Sequence, residues 1–71
     1  MATAYDLLDE GAKLEFDDIV DKADMMSNSD FQAVVEAIAM RQFAGGPMSP
    51  RGIELDEQAR AMVEKKHGFR P

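Results

Sequence analysis

The sequence predicts an all-α fold, a small bundle of three main helices preceded by a short N-terminal helical turn. Three observations carry that expectation. Apolar residues recur at helical spacing in three separate stretches, nowhere do β-branched residues alternate with polar ones over five positions, and helix breakers concentrate in the single segment Ala44–Gly52.

The opening turn is expected over Ala4–Glu10. Thr3 followed three residues later by Asp6 has the form of a capping box, in which the hydroxyl accepts a backbone N–H and the acid faces the positive end of the helix dipole. Gly11 costs a helix about 1 kcal/mol relative to Ala, so the turn either ends there or runs on, bent, into the next element. From Ala12 to Met26 the apolar positions Phe16, Ile19, Val20, Ala23 and Met26 fall on one helical face. The run Ser27-Asn28-Ser29-Asp30 then favours a turn, and Ser29 with Gln32 three residues on fits a second capping box.

No breaker lies between Asp30 and Ala44. Phe31, Val34, Val35 and Ile38 share one face, with Ala33, Ala37, Met40 and Phe43 beside it, and so wide an apolar arc predicts a central helix covered by the other two. Gly45, Gly46 and Pro47 close it. Beyond the loop, Leu55, Ala59, Met62, Val63 and Lys66 mark a third helix over Glu54–His67. Glu54, Asp56 and Glu57 lie near its start, Lys65, Lys66 and His67 in its last turn, and Gly68 sits at its stop, an order that suits the dipole. Met40 and Met62 fall on apolar faces and are expected in the core, whereas Met25, Met26 and Met48 border turns and are available for adaptable contacts.

A stretch of 71 residues is expected to form one small domain, 1–71, since a second does not fit in that length. Leu, Ile, Val and Phe make up about 21% of it, just above the ~20% below which a highly charged chain is expected to be disordered. A core this thin supplies only ~3–5 kcal/mol, so self-association as a homo-oligomer or burial against a larger protein is expected to add to it. The absence of cysteine excludes disulfides and thiolate-bound metals. No apolar run approaches the ~18 residues of a membrane span, and Met1–Glu10 lacks the basic start and apolar stretch of a secretion signal. A cytoplasmic location with no membrane partner is the expectation.

The net charge of -6 is unevenly spread. The acids crowd the segment before Arg41, where Lys13 and Lys22 are the only bases, while the segment from Arg41 onward is mildly basic. Asp17, Asp18, Asp21 and Asp24 form the densest cluster, with 17, 21 and 24 on one side of a helix. Like charges at this spacing cost a few tenths of a kcal/mol, and such runs are usually solvated faces. As a functional feature the cluster suits docking to a basic surface.

No constellation for catalysis is visible. Di-iron ligation needs paired Glu and Glu-x-x-His sets, which a chain with the single histidine His67 does not provide. A calcium loop starting at Asp24 fails at Met26, Ser29 and Val35, where a ligand, glycine and glutamate are required. The loop glycines lack the Lys-Ser/Thr pair and the preceding strand of a phosphate loop. Arg51, Arg60, Lys65, Lys66 and Arg70 with Phe69 form a basic set, but the joining segment is too long for a helix-turn-helix and the domain is acidic, so direct nucleic-acid binding is not expected.

The function expected from these features is a non-enzymatic protein–protein interaction module, an adaptor or inhibitor without a metal or cofactor. It would present Asp17, Asp18, Asp21, Asp24, Met25 and Met26 to the basic surface of a larger protein. One specific form is a nucleic-acid-mimicking decoy of the viral anti-defence type, an analogy from charge and size. The alternative is a structural or assembly subunit that self-associates through its acidic N-terminal part and basic C-terminal part.

Overall fold

The computed structural model describes residues Ala2–Pro71. A 3-10 turn at Tyr5–Leu7 leads to helix α1 (Glu10–Asp21), a second 3-10 turn at Ala23–Met25 to helix α2 (Asn28–Gln42), and a third at Gly46–Met48 to helix α3 (Pro50–His67). The fold is all-α, with no strand among the described residues. No helix among them is long and apolar enough to cross a membrane.

Each α-helix starts on a side-chain cap. The Asp9 carboxylate accepts from the Ala12 N–H (2.8 Å), Ser27 Oγ from the Asp30 N–H (3.1 Å) and Ser49 Oγ from the Gly52 N–H (3.1 Å), which satisfies donors that have no partner within the helix. Several boundaries differ from those the sequence suggests. The Thr3–Asp6 reciprocal bonds form (3.0 and 3.4 Å), but they close only a 3-10 turn. Leu8 is then extended and Asp9 starts a new helix that takes Gly11 into its first turn. Ser27 rather than Ser29 caps α2. Helix α3 begins at Pro50, four residues before Glu54, because a serine followed by proline is a helix start: the fixed φ of proline suits the first turn, where its missing N–H has no partner to lose.

Helix α1 stops at Asp21, short of Met26. The Val20 carbonyl, which a continuing helix would offer to Asp24, instead accepts from Nε2 of His67 at 2.9 Å. The chain turns through Ala23–Met25, burying Ala23 and bringing Met26 against the core while Met25 stays 84% exposed. Helix α2 likewise stops at Gln42, where Phe43 turns extended and packs against the core.

Helices α1 and α2 run antiparallel. Asp9 at the start of α1 bonds Gln42 at the end of α2 (3.0 Å), and Glu15 pairs with Arg41. Helix α3 returns with its C-terminus beside that of α1, where Lys66 pairs with Asp21. The radius of gyration of 11.1 Å matches the ~11 Å of a compact chain of this length. Each helix gives the core four buried residues: Ala12, Phe16, Ile19 and Val20 from α1; Phe31, Val35, Ile38 and Ala39 from α2; Gly52, Leu55, Ala59 and Val63 from α3. The expectation that α2 is central therefore fails. Ala33, Ala37 and Met40 face solvent, and Met40 is 69% exposed, because a three-helix bundle needs only one stripe from each member.

The connection between α2 and α3 is closed by an approach of backbone to backbone. A Cβ on Gly52 would lie 2.7 and 2.9 Å from the Cα and carbonyl carbon of Pro47, and closer still to the Gly46 carbonyl oxygen. Gly45 and Gly46 both have positive φ, 86° and 64°, where side chains are strained. Ser49 stitches the turn from the other side: its hydroxyl donates to the Gly46 carbonyl (2.6 Å) while accepting from the Gly52 N–H.

Two expectations follow for thermal or denaturant unfolding. Gly52→Ala destabilises the protein by about 1–3 kcal/mol or more through overpacking, whereas Gly11→Ala, whose Cβ meets only the Asp9 carboxylate at 3.7 Å, stabilises it by about 0.4–1 kcal/mol. Ile38, fully buried, loses about 2–5 kcal/mol on truncation to Ala, comparable with the whole stability of so small a core, and circular dichroism of Ile38→Ala should show a largely unfolded chain.

Candidate functional site

The periodicity that buries Ala12, Phe16, Ile19 and Val20 turns Asp17, Asp18 and Asp21 outward on α1. Helix α3 runs alongside, and between the two helices lies a groove of about 730 Å³. Val20 and Met62 supply its apolar lining, Asp17, Asp18 and Asp21 one charged wall, and Lys65 and Lys66 the other. Leu14, 66% exposed, stands on the same outer side of α1, one turn before the acids.

The acids are not equally free. Asp17 accepts from the Tyr5 hydroxyl through both oxygens (3.0 and 3.1 Å), and Tyr5 is itself held by a hydrogen bond from its backbone N–H to Gln58 on α3 (2.9 Å). The Tyr5 ring meets Phe16 edge-on at 5.2 Å, with the Lys13 ammonium 5.7 Å from its centroid. Burial, then the bond to Asp17, pushes the Tyr5 phenol above its ordinary value. Asp18 pairs with Lys22 (3.2 Å) and Asp21 with Lys66 across the groove, in exposed contacts that contribute little to stability. The hydrogen bond from Lys66, followed by its charge, holds the Asp21 carboxyl below the usual carboxylate range.

The structure thus brings Asp17, Asp18 and Asp21 together but divides the rest of the expected set. Asp24 lies on the separate turn Ala23–Met25, with Oδ2 3.9 Å from Nδ1 of His67. Met25 is exposed on that turn, outside the groove lining, and Met26 packs inward. Tyr5, Met62, Lys65 and Lys66 complete the site without having been singled out as partner-binding from sequence. Their signal was weak. Met62 and Lys66 are spaced by four on α3, but only the packing of α3 beside α1 shows which acids they meet.

The same packing occupies most of the bases. Arg41 pairs with Glu15, Arg51 with Glu54, Arg60 with Asp56, and Arg70 with Glu57 and Glu64. Among the described residues, Lys13 and Lys65 have no carboxylate within ion-pair distance, and no group of three or more potential metal ligands is assembled. None of the protein-family models, curated proteins or solved structures compared with the chain matches it. The functional reading therefore rests on this geometry.

The carboxylates also set the response to acid. The Asp9 carboxyl is held low by the Ala12 N–H it caps and then by Gln42, and the Asp6 carboxyl by the Thr3 backbone N–H and then its hydroxyl; Asp21 adds to these. A carboxyl with a lowered folded value favours folding above its unfolded value, and that contribution disappears as the pH falls through the folded one. Melting temperature should hold near neutral pH and drop as acid carries the protein through and below the ordinary carboxylate range. Asp21→Asn should lower it slightly near neutrality and leave it unchanged in strong acid, a difference readable from thermal melts across the range.

Proposed function

We propose that the protein is a non-enzymatic interaction module, an adaptor or inhibitor, that receives a basic, amphipathic segment of a larger protein in the groove between α1 and α3. The observation that carries this reading is the pairing of an apolar lining, in which Met62 is exposed beside the buried edge of Val20, with a wall of three carboxylates, Asp17, Asp18 and Asp21, in one concave surface. A helical segment with leucines on one face and lysines beside them matches both features, in the manner of helix-in-groove recognition. Lys22 and Lys66 occupy two of the acids in exposed pairs that a partner's cations can replace at little cost.

The location of His67 supports a non-enzymatic role. Its Nε2 is committed to the Val20 carbonyl, so the sole imidazole serves the end of α1. Six of the eight bases already have partners within the chain, so assembly of copies through acidic and basic ends would exchange one set of pairs for another, whereas docking in the groove adds apolar contact. For the decoy form a net charge of -6 is modest, since a duplex carries one charge per ~1.7 Å of axis.

The test uses a synthetic helical peptide with leucines on one face and lysines on the other, titrated into isotope-labelled protein. The amide signals of Asp17, Asp18, Val20 and Met62 should shift saturably, with binding that weakens as salt rises. The triple change of Asp17, Asp18 and Asp21 to Asn should keep the helical circular dichroism, slow association and flatten the salt dependence, since rim charges act chiefly on encounter. A folded triple variant with the wild-type rate and salt slope would remove the acidic wall from the binding site.

A further inference from the structure

Helix α3 has a second hollow on its opposite flank. Successive residues of an α-helix turn by about 100°, which sets Ile53, Asp56 and Arg60 away from Met62 and Gln58. There the Gly46–Met48 turn, α2 and α3 surround a space of about 160 Å³ lined by Gln32, Glu36, Pro47, Met48, Ile53 and Asp56. Its apolar side chains are conspicuously uncovered: Met48 is 83% and Ile53 57% exposed. Met40, 69% exposed, extends the patch, since its sulphur lies against Gly46 at the base of the same turn. None of the three belongs to the buried core.

The charges around the hollow are unequal. Asp56 is held directly by Arg60 at 2.9 Å, whereas Glu36 accepts from the amide of Gln32, also at 2.9 Å, whose carbonyl in turn accepts from Arg60 at 3.4 Å. The hollow thus has an apolar side, Pro47, Met48 and Ile53, facing a polar side, Gln32, Glu36 and Asp56, on which Glu36 has no ion-pair partner among the described residues. Its volume is close to the ~150 Å³ of a cavity that accepts benzene, enough for one large apolar side chain.

We infer that this face is a second docking surface, which takes a segment of another protein carrying an apolar anchor side chain with a lysine or arginine beside it. The anchor fills the hollow against Pro47, Met48 and Ile53, and the cation meets Glu36. Methionine suits such a surface because its flexible side chain repacks around anchors of different shape. A second copy of this chain is the poorer occupant: across a two-fold axis it would set the Glu36 carboxylates of two copies beside the same patch, and each copy carries a net charge of -6. The inference stands on its own lining residues and is independent of the α1–α3 groove. With both surfaces occupied, the module would bridge two segments from opposite flanks of α3.

Methionine methyl signals separate the possibilities in one titration with the leucine–lysine peptide, because Met40 and Met48 report this surface, Met62 the α1–α3 groove and Met25 the bulk surface. The expected result is a saturable shift of Met40 and Met48 with Met25 unchanged. Met48→Ser should weaken that event, read on Met40, by about tenfold, Glu36→Gln should flatten its salt dependence, and both variants should leave the response of Met62 intact. A matching leucine–glutamate peptide should not bind. Met40 and Met48 signals that move no more than Met25, whether or not Met62 responds, would overturn the inference. So would equal binding of the glutamate peptide, or shifts of Met40 and Met48 on simple concentration of the protein, which would assign the surface to a second copy. Failure of the Met62 response alone would strike the α1–α3 groove and leave this surface standing.

Discussion

The bundle depends on one close approach, that of the Gly46–Met48 turn to the first turn of α3 at Gly52. Only hydrogen occupies the place where any other residue would put a carbon against the Gly46 carbonyl and the Pro47 backbone. Because the turn can sit this low, α3 begins directly after it and runs back across α2 with Leu55, Ala59 and Val63 fully buried. The Ser49 hydroxyl makes the arrangement specific, bonding the Gly46 carbonyl on one side and capping α3 on the other. What resembles a flexible glycine–proline loop is a fitted part. The α2–α3 flank, including the exposed Met48 and Ile53, takes its shape from it.

How far the sequence discloses this architecture follows the range of the interactions involved. The helices are legible because Phe16, Ile19 and Val20, or Leu55, Ala59 and Val63, repeat at a spacing that one helix alone explains. The caps are partly legible, since Thr3–Asp6 and Ser27 through Asp30 advertise turns, but which serine begins α2 depends on where Phe31 and Val35 must point. The proline at 50 reads equally as a loop residue or as the first residue of a helix, and only the preceding Ser49 cap and the glycine contact decide. The breadth of the apolar arc on α2 misleads for a different reason: Ala33 and Ala37 expose so little apolar surface, and Met40 is so adaptable, that hydropathy pattern alone does not oblige them to be buried.

The candidate site is less legible than the fold for a related reason. The acidic spacing of Asp17 and Asp21 is a property of α1, but its electrostatic meaning comes from Tyr5, Lys65 and Lys66, which the tertiary fold delivers from both ends of the chain. A count of charges along the sequence suggests a bare acidic face and a basic tail. In the folded chain much of that contrast is spent internally, since Arg41 meets Glu15, Lys66 meets Asp21, and Arg70 meets Glu57 and Glu64. What distinguishes the α1–α3 groove is therefore the combination of Asp17, Asp18 and Asp21 with Val20 and Met62, rather than net charge.

The bond from His67 to the Val20 carbonyl ties the end of α1 to a residue 47 positions away. Without that bond the Val20 carbonyl would be the acceptor for the Asp24 N–H of a further turn. The two ends of α3 are thus secured by different means: side chains reach across at one, His67 to Val20 and Lys66 to Asp21, while backbone packs on backbone at the other, Gly52 against the Gly46–Met48 turn.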